Sequence, residues 1–474
     1  MSRDAKLGLG LLLVSLALGA LGDALFHGMP LGVNVLVWTA AFTMGLALLL
    51  RVGRVAYHQG RRWMLAPLVL FAACFAWRDS ALLTAANLIA ISGAVVLGAL
   101  RRTQPRVARA GVGDYAAGAA AAGFAAFGGA VHLLQRDVPW SEATRGTRTT
   151  VARGIALGLP LLALFGGLFA AADAVFRGFL SDAVPSFAHP LAHIFLFTGF
   201  AWAAGGLLRD LVAEREERRL LSPTAVTGAA PRVTLGSTEL CVALAAVDLL
   251  FLAFVLVQLR YLFGGAHLVQ VRAHLTYAQY ARHGFFELVA VSLLVLPLLL
   301  AVDAAGRRTR ALRFLSAALL ALTFVVMASA LQRMRLYERV YGLTELRVYA
   351  TGVIVWLAVV FAWFAATVLR GRRRHFAVGV VVAGFAATLA LDFVNPDALI
   401  ARTNLARPRV DVAYLAGLGD DAVPTLVARL PHLEPGLRRP LAEALLRRHE
   451  NGDWRSWSLS RSRARVDLRR LTRP

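Results

Sequence analysis

Cysteine, lysine and acidic residues are all scarce in this sequence, and each shortage excludes a class of protein. Cys74 and Cys241 are the two cysteines, each in or beside an apolar run, so we expect neither a disulfide framework nor a thiolate metal site. Lys6 is the single lysine, and 28 acidic residues stand against 51 basic ones, for a net charge of +23. The arginines gather in short loops between apolar runs, which is typical of membrane topology signals and not of a nucleic-acid-binding domain.

Catalytic signatures are missing as well. The sequence has no G-x-S-x-G nucleophile motif, no phosphate-binding glycine loop and no H-E-x-x-H frame. His189 and His193 are four residues apart and share a helical face, but a zinc site needs three or four close ligands. The sequence therefore predicts no catalytic residue, no metal and no cofactor, and it does not favour an enzyme.

Long apolar runs are what the sequence has instead. Hydrophobic residues make up 58% of the 474 positions. They gather in blocks of about 20 residues, the length that crosses a bilayer as a helix. The blocks predict an all-α fold, a polytopic transmembrane helical bundle of about 11–12 spans. The candidate segments are residues 7–26, 31–50, 64–77, 81–100, 115–134, 154–172, 187–208, 239–262, 284–302, 312–332, 347–369 and 376–394.

The loop arginines predict the orientation of these segments. Loops 51–63 and 101–112 should be cytoplasmic, which places the N-terminus inside the cell. Loops 135–153 and 209–236 would then face outward if every segment crossed, against the same rule. Segment 115–134 is mostly alanine and glycine, and a re-entrant or surface-lying helix there removes the conflict. Eleven spans with an outside C-terminus are therefore favoured over twelve spans with an inside one.

Residues 395–474 are polar and follow the last apolar run. We expect a transmembrane bundle over 1–394 and an extramembrane helical C-terminal module beyond it, with Asp421 capping the second module helix. The module is a candidate surface for a protein partner. Apolar residues at helical spacing predict its helices near 412–418, 423–430 and 437–448.

The stretch Phe254–Leu288 is the most informative part of the chain, because polar groups crowd the end of one apolar run and the start of the next. Ionisable groups are costly in a bilayer, so they mark candidate sites. Glu287 is expected to pair with an arginine of the cluster, Arg260, Arg333 or Arg347. The cluster is either a pocket for a headgroup, ion or small anion, or a network that ties helices together. In the eleven-span arrangement its outer-side members are Asp173, Gln258, Arg260, Tyr277, Tyr280, Arg282, Glu287, Arg333, Tyr337, Arg347 and Asn404.

Asp248 is a separate candidate, because it lies roughly 14 Å inside its apolar segment. One interpretation is a proton-relay carboxylate. The other is a neutral or hydrogen-bonded acid packed against a neighbouring helix, and the lack of a second acid at similar depth favours it.

Several motifs resemble a known family. FVLVQLRYLFGG, TYAQYARHGFFEL, NPDALIARTNLAR and DVAYLAGLGDDAVPTL occur in that order, after LFGGLFAAADAVF around Asp173. Over residues 150–460 they resemble bacterial integral-membrane proteins of the domain-of-unknown-function groups 4153 and 4173. The resemblance implies a multi-pass protein of the bacterial inner membrane and supplies no activity.

Two functions are compatible with these features. The first is a membrane binding, sensing or scaffolding protein whose partners are the lipid bilayer and a protein held by the C-terminal module, with no nucleic acid. The alternative is a transporter or channel for a small ion or solute, with a path past Asp248.

Overall fold

The computed structural model of the protein describes residues 3–54, 59–100, 107–138, 158, 188–212, 236–263, 285–305, 309–448 and 452–471. For residues 59–62, 136, 188–191, 259–263 and 286 it describes the backbone without the side chain. Every regular element in the described ranges is helical, so the predicted all-α fold is confirmed.

The helices of these ranges are numbered in chain order. Their bounds are α1 Arg3–Phe26, α2 Val33–Val52, α3 Gln59–Trp77, α4 Ala81–Ala99, α5 Val112–His132, α6 Ala188–Val212, α7 Ser237–Phe263, α8 Phe285–Ala304, α9 Arg310–Tyr341, α10 Glu345–Thr367, α11 Phe376–Val394, α12 Pro396–Leu405, α13 Val412–Gly417, α14 Val423–Arg429, α15 Pro435–Leu446 and α16 Leu459–Leu471.

Ten helices within the described ranges are long and apolar enough to cross a membrane, namely α1, α2 and α4 to α11. The apolar part of α3, Trp63–Trp77, is shorter. The chain is therefore a multi-pass membrane protein, as its apolar runs predict. The predicted segment 154–172 lies outside the described residues, so the total number of spans stays a prediction.

The chain divides into two compact units. The first comprises Met1–Asp79, Thr84–Val226 and Glu450–Ser462, and the second comprises Ser80–Leu83, Thr227–His449 and Arg463–Pro474. This division differs from the predicted boundary between bundle and module at residue 394, which stays a prediction.

Small residues bring α1 and α6 of the first unit into close contact. Ala201 lies against Gly19, and Ser15 lies against Gly205, with no room for a Cβ on either glycine. Glycine at such positions lets two helix backbones approach within van der Waals distance. The contacts run in opposite numerical order, so the two helices are antiparallel and the end of α1 lies beside the start of α6.

The last turns of α4 and α6 lie at one level of the first unit. Leu211 of α6 packs against Gly98 of α4, where a Cβ would lie 3.0 Å from the leucine Cδ2. Gly118, in the second turn of α5, packs against Leu100 just after α4. The first part of α5 therefore lies at this same level.

The C-terminal end of α5 returns to that level. A π-helical turn, Leu133–Asp137, follows it. The Asp137 carbonyl lies against Gly8 near the start of α1, and its carboxylate forms an ion pair with Arg209 in the last turn of α6. Between Gly118 and the π-helical turn, α5 packs on α6, with Gly129 directly against Gly206. Whether segment 115–134 crosses the bilayer stays a prediction.

The second unit is built around α9, which packs on α7, α8 and α10, while α10 also packs on α11. Phe361, Phe364 and Phe376 are fully buried in its apolar core. The rings of Phe364 and Phe376 meet edge to face with centroids 5.5 Å apart, an arrangement that aromatic pairs favour.

The C-terminal helices of the second unit close around an apolar core of their own. Helices are present at the three predicted places as α13, α14 and α15. The expected cap is wrong, because Ala422 occupies the N-cap position of α14 and no side chain caps that helix. Proline in the first turn starts α12, α14 and α15, where its missing N–H leaves no helical bond unmade. The fully buried core residues are Ile400, Ala401, Leu415, Ala422, Val423, Leu426, Leu441 and Leu445.

A single residue, Asn395, joins the last apolar helix to these C-terminal helices. It adopts the left-handed conformation with φ +54°, which asparagine tolerates better than most residues. Its N–H donates to the Leu391 carbonyl at the end of α11, and its Oδ1 accepts from the Ala398 N–H at the start of α12. The chain thus turns directly from α11 into α12.

Candidate functional site

The predicted hairpin tip falls mostly outside the described residues. Asp173, Tyr277, Tyr280 and Arg282 are not among them, and Arg260 is described by its backbone alone, near the end of α7. Their membership of a polar cluster stays a prediction. The other predicted residues are described, and they fall into two groups and one outlier.

The first group ties α7 to α9. Gln258 is buried, and its Oε1 accepts hydrogen bonds from Arg333 Nη2 at 2.8 Å and from Ser329 Oγ at 3.2 Å. A neutral amide that accepts from a guanidinium satisfies both groups without placing a second charge in the apolar bundle. Both helices therefore carry complementary polar groups where the last turns of α7 meet α9.

The second group lies at the turn between α9 and α10. The Arg347 guanidinium lies 4.1 Å from the ring centre of Tyr337, a cation–π contact, and donates to the Gly342 carbonyl. Glu287 is the outlier, because it is exposed in the first turn of α8. Arg333 contacts Gln258 and Arg347 contacts Tyr337. The expected pairing of Glu287 with an arginine stays a prediction, because the side chain of Arg260 is not among the described residues.

Asn404 joins the C-terminal helices to this turn. Its Oδ1 accepts from the Leu343 N–H and its Nδ2 donates to the Leu343 carbonyl, both at 2.8 Å. The amide therefore pairs with a backbone as a neighbouring strand would. Gly342 has φ +79°, and a Cβ there would lie 2.5 Å from Asn404 Oδ1, so the turn requires glycine.

Two further side chains complete the same attachment. Arg407 donates to three carbonyls at the end of α9, those of Glu338, Arg339 and Val340. All three carbonyls lie in the last turn of α9, where a cation opposes the helix dipole, and the Glu338 carbonyl also accepts from the Gly342 N–H at 2.8 Å. The Tyr414 hydroxyl accepts from the Glu345 N–H at 3.0 Å. We call Asn404, Arg407 and Tyr414 the clamp.

A group of acids lies beside the clamp. Asp397 is fully buried, and its Oδ2 accepts from the Gly419 N–H at 3.1 Å, while its Oδ1 has no hydrogen-bond partner among the described residues. Burial, followed by the charges of Glu345 and Asp421, raises the pKa of Asp397 to about 7. A proton shared with Glu345 would supply the donor that Oδ1 lacks. The nearby Asp421 accepts from Asn395 Nδ2 at 3.4 Å and so belongs to this group instead of capping α14.

Asp248 lies apart from all these groups. It is 8% exposed, and neither carboxylate oxygen has a hydrogen-bond partner among the described residues. The following residues, Leu249 and Leu250, are each 68% exposed and turn outward. Asp248 is therefore buried, as both interpretations expect. Among the described residues, no hydrogen bond supports the interpretation as a hydrogen-bonded acid.

Sequence reasoning missed two sets of residues. Asp397 and Glu345 were not recognised, although an acid in the first turn of a helix directly after the last apolar run was a usable signal. At the end of α1, Asp23 and His27 lie beside His193 of α6. The available signal there was a second i, i+4 pair, Asp23 and His27, to match His189 and His193.

One comparison with known proteins gives a match. A family model described as a domain of unknown function (DUF4153) matches residues 65–428. It starts before residue 150, where the motifs that carry the resemblance begin, and ends within the C-terminal helices. No curated protein and no solved structure matches the chain.

Proposed function

We propose that this chain, which belongs to the DUF4153 family, is a membrane scaffold. It holds its C-terminal module in a fixed position to bind a protein partner. The family description names no activity, so the proposal rests on the chain itself. The observation that carries it is the clamp, in which three side chains fix the module to the turn between α9 and α10.

The chemistry of the clamp supports a fixed module. Asn404 satisfies both backbone groups of Leu343, and Arg407 satisfies carbonyls that end α9. Each buried backbone group left without a partner costs about 1–3 kcal/mol, so the module cannot separate from the turn without loss. A module that only linked or anchored the chain would not need such contacts.

We further propose that the protein lies in the inner membrane of a bacterium, with the N-terminus in the cytoplasm and the module on the outer side. In the first unit, Arg455 donates to the Ala24 carbonyl in the last turn of α1, and Arg461 donates to the Leu31 carbonyl between α1 and α2. Ser460 donates to the Trp77 carbonyl at the end of α3. If α1 crosses once, residues 455–461 lie on the far side from the N-terminus.

An odd number of crossings follows from that placement. Such a number is obtained if the alanine- and glycine-rich helix α5 lies on the inner surface instead of crossing. Reporters active only in the cytoplasm or only outside, fused after Pro474, test this topology. We expect the outside signal, and an inside signal would contradict both the odd count and the surface position of α5.

The transport alternative keeps one supporting observation. Asp248 is buried in an apolar helix with neither oxygen bonded among the described residues, as a carboxyl group that exchanges an ion or proton would be. The additional resemblance to group 4173 bears on neither function and stays a prediction.

One experiment separates the two functions. A photo-crosslinking amino acid replaces Arg439, whose side chain is 86% exposed on the module, and crosslinked products are collected from living cells. For a scaffold, we expect one discrete crosslinked protein that Asn404→Ala removes and Asp248→Asn leaves unchanged. A transporter would give no discrete product on the module. Loss of the product with Asp248→Asn alone would also count against the scaffold.

A further inference from the structure

Three side chains with metal-binding atoms meet at the end of the α1–α6 pair. Asp23 and His27 are one helical turn apart, the first in α1 and the second just after it. His193 approaches from the start of α6, and its Nδ1 lies 2.8 Å from both carboxylate oxygens of Asp23. One ligand atom from each residue lies within 4.8 Å of the other two.

Helix packing fixes this meeting point. The glycine contacts of α1 set its spacing and register against α6, and the rings of Phe26 and Phe200 stack at 4.9 Å beside the three residues. The imidazoles of His27 and His193 also stack, with centroids 3.8 Å apart and planes 12° from parallel. The stack therefore holds the two rings side by side at the meeting point of the helices.

We propose that Asp23, His27 and His193 form a binding site for a divalent transition metal of the zinc class. Two imidazole nitrogens and one carboxylate oxygen are a ligand set that such ions accept, with bonds of about 2.0–2.2 Å. Ligand atoms in a tetrahedral zinc site are about 3.4 Å apart, so small side-chain rotations bring this set into place. His193 is 47% exposed, which leaves the fourth position open to water.

The surroundings favour a cation. The carboxyl end of α1 carries the negative end of the helix dipole, and Asp23 adds a full negative charge. Arg455 donates to the Ala24 carbonyl next to the site, and Asp453 compensates its charge through two hydrogen bonds of 3.0 and 2.7 Å. His189, whose side chain lies outside the described residues, stands one turn before His193 on α6.

The structural alternative to a metal site is an Asp–His hydrogen bond that joins two helix ends. Such a bond uses Asp23 and His193 and has no need of His27. A metal site needs all three residues, so the effect of changing His27 distinguishes the two interpretations.

The first test measures zinc bound by the full-length protein, purified in detergent, stripped with a chelator and equilibrated with zinc chloride. We expect about one ion per chain, with affinity reduced at least about tenfold in each of Asp23→Asn, His27→Ala and His193→Ala. His375→Ala, which removes an exposed histidine elsewhere, is the matched control and should bind as the wild type does. Wild-type binding in all three variants, or no binding by the wild type, would overturn the site.

A second test does not depend on loss of binding. In His193→Cys, cobalt bound at this site would show a thiolate-to-cobalt charge-transfer band in the near ultraviolet. The wild type keeps Cys74 and Cys241, so it serves as the control and should lack the band. Cobalt bound by both proteins without a new band in the variant would show that residue 193 is not a ligand.

Discussion

Within each unit, the C-terminal residues are attached by a different kind of contact. In the second unit, the clamp bonds backbone groups through a neutral amide, a hydroxyl and the guanidinium of Arg407. In the first unit, residues 452–462 are attached through arginines that pair with carboxylates and carbonyls. The comparison teaches that one attachment is made to backbone groups and the other includes pairs of opposite charges, so the two should respond differently to mutation, pH and salt.

Arg461 illustrates the charged attachment. Its Nη2 and Nε bond the two oxygens of Asp79 at 2.5 and 3.1 Å, and its Nη1 donates to the carbonyls of Leu31 and Ser456. The two charged side chains are only 19% and 24% exposed. A bidentate pair with this little exposure is stronger than a surface ion pair and leaves an uncompensated charge when one partner is removed.

The largest expected effect comes from breaking that attachment. Arg461→Ala should destabilise the first unit by about 3 kcal/mol, because Asp79 would lose the bidentate guanidinium that compensates its charge. Melting of the purified protein measures the loss, and hydrogen exchange should rise in residues 453–461 but not in 395–448. Arg463→Ala, an exposed arginine two residues on, is the control. Equal losses in both variants would remove the distinction between the two attachments.

Breaking the clamp should have the next largest effect. Asn404→Ala leaves the N–H and the carbonyl of Leu343 without their partners, and we expect a loss of about 2 kcal/mol. Hydrogen exchange should rise in residues 395–448 and stay unchanged in 453–461. Arg402→Ala on the same helix, where the side chain is exposed, should change neither. If raising the salt concentration reproduced the effect of Asn404→Ala, the clamp would be no less electrostatic than the Arg461 attachment.

The acids beside the clamp predict a pH response. The pKa of Asp397 is about 7 in the folded protein against 3.8 for the ordinary group. Between these values the folded state holds the proton and the unfolded state does not, so stability falls as pH rises from about 4 to about 7 and then levels off. Asp397→Asn should remove this fall and stabilise the protein by about 1–2 kcal/mol at pH 8. Melting curves of the wild type and the variant at pH 5 and pH 8 measure this difference. If the variant were as pH-sensitive as the wild type, a group other than Asp397 would be responsible for the pH dependence.

The smallest effect is expected on the exposed face of the module. Arg439 and Glu443 form an i, i+4 ion pair at 2.9 Å with side chains 86% and 49% exposed. Arg439→Ala should cost about 0.3 kcal/mol, because solvent screens such pairs. If Arg439→Ala lowered the melting temperature as much as Arg461→Ala does, side-chain exposure would not determine how much these ion pairs contribute to stability.

The fold could be predicted because run length alone separates a membrane helix from a buried soluble one. The candidate site could be predicted only where a residue type is costly in its surroundings, as with Gln258, Arg333 and Arg347. Their partners could not be predicted. Asn404 binds the backbone of Leu343, and backbone groups leave no mark in a sequence.

The glycines between α1 and α6 explain why the group of Asp23, His27 and His193 could not be predicted from the sequence. Asp23 and His193 are 170 positions apart, and what brings them together is the register of two helices at small residues. A sequence shows that such residues are present but not which ones face each other. The three-residue site at the end of α1 therefore becomes visible only in the folded chain.

The arginines of the last segment also have a consequence for biosynthesis. Arg461 bonds a carbonyl 430 positions earlier, and Arg455 bonds one 431 positions earlier. Chains are made from the N-terminus at about 5–20 residues per second, so the first hairpin waits tens of seconds for the residues that complete it. Until then Asp79 lacks its guanidinium partner. A ribosome that stops early would release a chain whose N-terminal helices are inserted but unfinished, a state that membrane proteases can distinguish from the complete protein.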